Sequence, residues 1–284
     1  MIEKQSNSTI ALYKEIQKVH YTIQDWFSDK CIYHYLGFLF NIRSKRKVTF
    51  NEIWNLWEQS ATRGNFIKEL KRIIYSYFIE DEELKNYKDL SINWYDDKQY
   101  DLINTLILMD VIHSIKNNQP NLPFNKFSKS SDDIEHIFPR NPREVKNKKS
   151  YIEFLNKYFR QTDSAFDVSD FDRREYDEDY IKEIDEHITS VTDNIAINSI
   201  GNLVLLYKKL NQSISNSNFA IKRSRIIDYH SSGSFIQPHT FIVFTRNFND
   251  SKDLNRDYEY WTNDDIMRNC DYIERELKNF FNDL

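Results

Sequence analysis

Asp133-Ile134-Glu135-His136-Ile137-Phe138-Pro139 decides how this chain is read. A carboxylate and a histidine sit side by side on an apolar, β-prone run that proline ends, because proline has no N–H to give to a ladder. Further on, Gly201-Asn202-Leu203-Val204-Leu205-Leu206 is a second apolar run of strand length, and Asn211 follows it. The expected layout is strand, loop, strand, then a further element carrying Asn211, with a carboxylate, an imidazole and an amide facing one cation. Strand neighbours point to opposite faces, so Glu135 and His136 converge only if the strand ends or twists there; Pro139 is consistent with an early end. Asp133 and Asp132 are alternative carboxylates. A neutral imidazole near its ordinary pKa accepts a proton at physiological pH, which makes His136 a candidate general base. Taken alone, a histidine among Ile134, Ile137 and Phe138 would equally suit a hydrogen-bonded core position.

Composition narrows the classes. With 284 residues, 40% hydrophobic and 29% charged, the chain is long enough for one large or two modest globular domains. Four glycines and five prolines are few punctuators, which favours helices, and 15% aromatics point to a core built on rings. Cys31 and Cys270 make no paired zinc-ligand spacing and suggest a reducing compartment. No stretch resembles a signal peptide or reaches the roughly 20 apolar residues of a membrane span, so a cytoplasmic protein with no membrane partner is expected. No Gly-x-x-x-x-Gly-Lys loop is present, so an NTPase phosphate cradle is not expected.

The net charge of −5 argues against a protein that coats nucleic acid without specificity. Its distribution matters more. Residues 163–186 hold eleven acids against three bases, which leaves a net positive remainder. Lys208, Lys209, Lys222, Arg223 and Arg225 follow the second box with no acid between them, and Arg140, Arg143, Lys146, Lys148 and Lys149 follow the first, opposed by Glu144. Bases flank both boxes, where a phosphate backbone would lie, although lysine-rich faces are commonly just solvated.

Spacings of three and four mark helices over 10–27 (Tyr13, Ile16, His20, Ile23), around Ile53, Trp54 and Trp57 with Thr49 or Asn51 as cap, over Phe66–Tyr77, and over Leu102–His113. Residues 32–42 are apolar on every side and read as a buried helix or a strand. Residues 1–116 therefore look all-helical. A polar run with two prolines, 117–123, reads as a linker, so a helical domain is expected at 1–125 and a second domain at 126–284, with its core at 126–230. An insertion, 144–195, separates the boxes, with a helix around Tyr151–Tyr158 and an acidic loop leading into another. In the C-terminal segment, 240–284, Phe241–Phe244 reads as a short strand or a helical turn. Ile266, Met267, Cys270, Ile273 and Leu277 mark a last helix, preceded by Trp261 and a cap at Thr262.

Glu135-His136-Ile137-x-Pro139, Gly201-Asn202-Leu203-x-Leu205-Leu206, Asn211 and Asn218-Phe219-x-x-Lys222 together resemble the HNH, or ββα-metal, nuclease region at the C-terminal end of GmrSD-type restriction endonucleases. Tyr33-His34-Tyr35-Leu36-Gly37-Phe38 and Trp261-Thr262-x-x-x-Ile266-x-x-Arg268 resemble that family's helical regions, so the likeness spans roughly residues 10–280. The resemblance implies a mainly α protein with a small ββα-metal core. It implies a DNA endonuclease of restriction or anti-phage defence in which His136 activates water, Asn202 braces the loop and orients the base, and Glu135 and Asn211 hold Mg²⁺, with Mn²⁺ as substitute. Lys222 is then the best phosphate contact, with Arg223, Lys208 and Lys209 beside it. Asn218 suits the site or a cap, and Phe219 the core. The family also implies a separate nucleotide-using sensor subunit as partner. The rival expectation is a partner-dependent or non-catalytic adaptor, and an RNA-cutting toxin is a third.

Overall fold

Scarce glycine and proline leave long uninterrupted helices: helix accounts for 66% and strand for 5%, so the protein is mainly α, as expected. The computed structural model describes residues 2–127, 132–140, 147–158, 166–174, 177–193, 195–214, 216–245 and 260–284, without the side chains of 2–8, 132, 133, 157, 158, 208 and 209. Helices α1 (Ile2–Ser28), α2 (Lys30–Asn41), α3 (Phe50–Gln59) and α4 (Arg63–Tyr75) come first. Trp26 locks α1 to the next helices, its ring 5.5 to 6.3 Å from those of Phe50, Trp54, Trp57 and Phe66. Thr49 caps α3 through a reciprocal capping box with Glu52. The all-apolar run at 32–42 is helix, with Ile32, Phe38 and Leu39 fully buried.

A two-residue ribbon, β1 (Ile79–Glu80) with β2 (Glu83–Leu84), interrupts the expected all-helical segment. Its turn places Asp81 and Glu82 at φ of 49° and 67°, the mirror-turn geometry of hairpins achieved without glycine. Helix α5 (Gln99–Lys116) follows and is buried from Asn104 to Ser114, so it is the central strut. The stretch expected as a linker is strapped down. Leu122 is buried, its N–H donates to His34 Nε2 at 3.3 Å, and its carbonyl accepts from the Tyr33 hydroxyl at 2.8 Å.

Strand β3 (Asp132–His136) then leads to α6 (Lys148–Tyr158), α7 (Phe171–Arg174) and α8 (Glu178–Asp193). These helices carry a small apolar cluster of their own, Ile152, Phe171, Tyr180 and Ile184. Strand β4 (Leu203–Tyr207) returns antiparallel to β3, followed by α9 (Lys208–Ile214), α10 (Phe219–Ser231), α11 (Pro238–Thr245) and α12 (Asn263–Phe281). Phe241–Phe244 is thus helix. Helix α12 starts at Thr262 with a second capping box, through Asp265. One apolar cluster runs from Trp26 to Phe281 and joins the helices before residue 125 to both strands and α12. Among the described residues no helix is long and apolar enough to cross a membrane.

Candidate active site

The site begins where the β3–β4 ladder ends. Ile134 pairs with Leu205, Glu135 with Val204 and His136 with Leu203. The outer side of β4 is covered by α11, where the Thr240 hydroxyl donates to the Leu205 carbonyl at 2.5 Å. Beyond His136 the chain leaves the ladder but stays clamped. Ile137 N–H donates to the Asn202 carbonyl at 2.8 Å, and Phe138 N–H donates to Asn202 Oδ1 at 2.8 Å. Asn202 Nδ2 donates to the carbonyls of Phe138 (3.2 Å) and Ile197 (2.9 Å). Asn202 is fully buried, and every part of its amide works as a brace across the two boxes. It sits on a 3₁₀ turn, Ile200–Asn202, that α12 grips: a Cβ on Gly201 would lie 2.2 Å from the Ile266 carbonyl oxygen, and Asn269 Nδ2 donates to the Gly201 carbonyl at 2.9 Å.

His136 is 9% exposed. Its Nε2 lies 3.1 Å from Asn198 Oδ1, and its ring centroid is 4.7 Å from that of Tyr95. Burial pushes its pKa down to about 4; the Asn198 hydrogen bond opposes this, the positive charges of Arg140 and Lys222 add to it, and Asp96 opposes it. The ring is therefore neutral at pH 7. With Nε2–H donating to the amide oxygen, the lone pair of the neutral ring resides on Nδ1. Tyr95 reaches this place from the turn before α5, which is tied down by Trp94 N–H donating to the Asn198 carbonyl at 2.9 Å and by Trp94 stacking on Tyr87.

Glu135 is 7% exposed, and Lys222 Nζ donates to its Oε1 and to the His136 carbonyl, both at 2.5 Å. Lys222 itself is completely buried. The ammonium expected to reach phosphate is turned inward, where it neutralises Glu135 and ties α10 to the end of β3. Asn218, left between two uses by the sequence, caps α10 by accepting from Ile221 N–H at 3.0 Å, and Phe219 packs in the core against Phe244 and Trp261. Arg223 is partly buried on α10. Lys208 and Lys209 open α9, and Asp132 and Asp133 lie in β3, but these four side chains fall outside the described residues.

Helix α9 packs against both strands and completes the strand–strand–helix unit. On it Asn211 is 8% exposed, and its Oδ1 is buried without a hydrogen-bond partner among the described residues. A buried amide oxygen without a donor is costly, and a cation is one way to satisfy it. In kind, a carboxylate and an amide oxygen suit a hard divalent ion. Two features weigh the other way. The Glu135 carboxylate already carries Lys222, and among the described residues no group of three or more His, Cys, Asp or Glu side chains is arranged to hold a metal ion.

A cleft of about 580 Å³ opens at the end of β3, walled by Tyr95, Glu135, His136, Arg140, Tyr151 and Asn216 among others. Glu135 and His136 thus share one cleft, as the early end of the strand requires; Asn202 supports it from within, and Asn211 is not among its described walls. A similar hollow of about 600 Å³ on α8 is walled by Glu178, Asp185, Glu186 and Asp193, an acidic lining unsuited to an anionic substrate. Tyr95 and Asn198 had escaped the sequence reading. Neither belongs to a box, and both reach His136 through tertiary contacts.

The family described as GmrSD restriction endonucleases, C-terminal domain, matches residues 78–273. The match takes in both boxes, Asn211, Lys222, and also Tyr95 and Asn198. No curated protein and no solved structure matches the chain significantly.

Proposed function

The chain belongs to the family of GmrSD restriction endonuclease C-terminal domains, and from that premise we propose that this nuclease hydrolyses DNA phosphodiester bonds by HNH-type chemistry at His136. The observation that carries the reading is His136 itself: a neutral imidazole on the wall of an open cleft, its tautomer fixed by Asn198 and its backbone braced through Asn202. Hydrolysis needs a base to take the proton of the attacking water, and an imidazole whose pKa is held to about 4 is unprotonated throughout the physiological range. Glu135 and Asn211 are the side chains that would hold Mg²⁺, or Mn²⁺ in its place. The ion, when bound, supplies charge stabilisation at the phosphate and the leaving oxygen. Asn202 keeps the two boxes in register, and Lys222 fixes the Glu135 carboxylate.

A second reading is favoured by the Lys222–Glu135 pair. A carboxylate already neutralised by a buried ammonium is a poor metal ligand until that pair opens, which suits a nuclease that works only with a partner, such as a separate nucleotide-using sensor subunit, or an adaptor that does not cut. Cleavage of plasmid and of modified phage DNA with Mg²⁺ or Mn²⁺ separates these. The first reading expects cutting by the wild type and a loss of about 10²- to 10⁴-fold in His136→Ala. Cutting that needs an added sensor subunit and nucleotide supports partner dependence, and none under either condition rejects the nuclease. Defence against phage is the role this chemistry would serve.

A further inference from the structure

With Lys222 turned inward, the site needs another cation for its substrate. Lys222 is completely buried, and its ammonium is already bonded to Glu135 and to the His136 carbonyl. Among the described residues that wall the cleft at His136, Arg140 is the one lysine or arginine. It is exposed, and its guanidinium carbon lies 5.5 Å from the centroid of the Tyr95 ring, whose own centroid is 4.7 Å from that of His136. Guanidinium, phenol and imidazole therefore stand in sequence along the cleft wall. No acidic side chain among the described residues pairs with Arg140, so its fork of donors is uncommitted there.

Its backbone is anchored. Arg140 follows Pro139, whose φ is fixed by its ring, and Phe138, whose N–H and carbonyl are both bonded to the Asn202 amide. The brace that holds the end of β3 thus also anchors the backbone that leads to Arg140. Arg140 borders a second cleft as well, of about 530 Å³, which shares Arg140, Thr192 and Ile197 with the first. The second cleft has mixed walls, with Leu90, Ile92 and Ile195 beside Ser91, Asn93 and Asn198, and its charged wall residue besides Arg140 is Asp193. An anion is therefore favoured at the saddle between the clefts and disfavoured deeper in the second, beside Asp193.

We propose that Arg140, rather than Lys222, is the side chain that holds a phosphate of the cut strand beside His136, with Tyr95 as its platform; this rests on the nuclease reading above. The planar guanidinium offers a phosphate two parallel hydrogen bonds, a geometry that lysine cannot copy.

The test compares wild type, Arg140→Ala, Arg140→Lys and His136→Ala on a supercoiled plasmid and, in EDTA, on a labelled duplex fragment. Arg140→Ala is expected to melt as the wild type does, because the side chain is exposed. Its kcat/KM should fall by roughly ten- to hundredfold, and the slope of log affinity against log salt should shrink by about 0.9, one phosphate contact. Arg140→Lys should recover the salt slope and only part of the cleavage. An Arg140→Ala protein with wild-type slope and rate, beside an inactive His136→Ala, overturns the assignment of Arg140 and leaves the nuclease reading standing. A His136→Ala protein that cuts as the wild type does removes the nuclease reading, and the Arg140 assignment falls with it.

Discussion

His136 and Lys222 are both buried polar side chains at the end of β3, and the same seclusion acts on them differently. For the imidazole it disfavours the charged form. A base must be unprotonated to work, so activity should rise with pH through a midpoint near 4 and be flat by pH 6. A pH profile of kcat/KM with its acid limb at 6.5 or above would reject His136 as a secluded base. Asn198→Ala removes the acceptor of Nε2, a contact that raises the pKa, so the limb should move to still lower pH while the rate falls less than in His136→Ala. For the ammonium, seclusion is tolerable because Glu135 and the His136 carbonyl accept its hydrogen bonds. Lys222→Met strands the Glu135 carboxylate in the interior and should cost about 3–5 kcal/mol in urea denaturation, most of it restored by adding Glu135→Gln. A Lys222→Met protein as stable as the wild type would mean that the pair is open in solution and the ammonium is available to phosphate.

At the level of elements, Gly201 is where α12 meets the turn that carries Asn202. Gly201→Ala drives a Cβ onto the Ile266 carbonyl oxygen and Cys270 Sγ, at 2.2 and 2.6 Å. The helix must back away, at about 1–3 kcal/mol, and DNA cleavage should fall with it because Asn202 loses its seat. A thermal melt and a plasmid assay on one preparation check this; full activity in a destabilised protein would show that the brace tolerates movement. Local chemistry made much of this scale readable in the sequence. The two strands and the caps at Thr49 and Thr262 rest on apolar runs of strand length and on side-chain-to-backbone bonds between near neighbours, whereas the helix bearing Asn211 followed from the family resemblance. The β1–β2 ribbon did not show, because its turn uses Asp81 and Glu82 in place of glycine. Tyr95 and Asn198 could not be found by spacing, since they meet His136 only after folding. The burial of Lys222 was legible too: it lies three residues after Phe219 and four before Ile226, both buried, so the apolar face of α10 already pointed it inward.

Across the whole molecule, α5, α11 and α12 enclose a polar cluster away from the cleft. His113 Nε2 lies 3.0 Å from the Tyr272 hydroxyl, His239 stacks parallel to His113 at 6.2 Å, and both His239 ring nitrogens are buried without a hydrogen-bond partner among the described residues. Burial lowers the pKa of His113 to about 4 and that of His239, also beside His113, to about 3. Below the unfolded value of about 6.5 the unfolded chain takes up protons that the folded one refuses, so stability rises with pH there and is lost on acidification. Between pH 6.5 and 5 the loss should be about 2 kcal/mol per histidine, and His239→Leu should remove about half of this pair's share. Urea midpoints that coincide at pH 7 and pH 5 would refute this. The strand pair has another consequence, in time. His136 and Leu203 pair across everything between them, and the ammonium that satisfies Glu135 arrives later still, on α10. A chain emerging from the ribosome therefore carries its histidine long before it has a second strand to set against it, and closing so long a loop is slow. The ladder that carries His136 is therefore complete only once Leu203 has followed it, and the charge of Glu135 finds its partner only once Lys222 has been made.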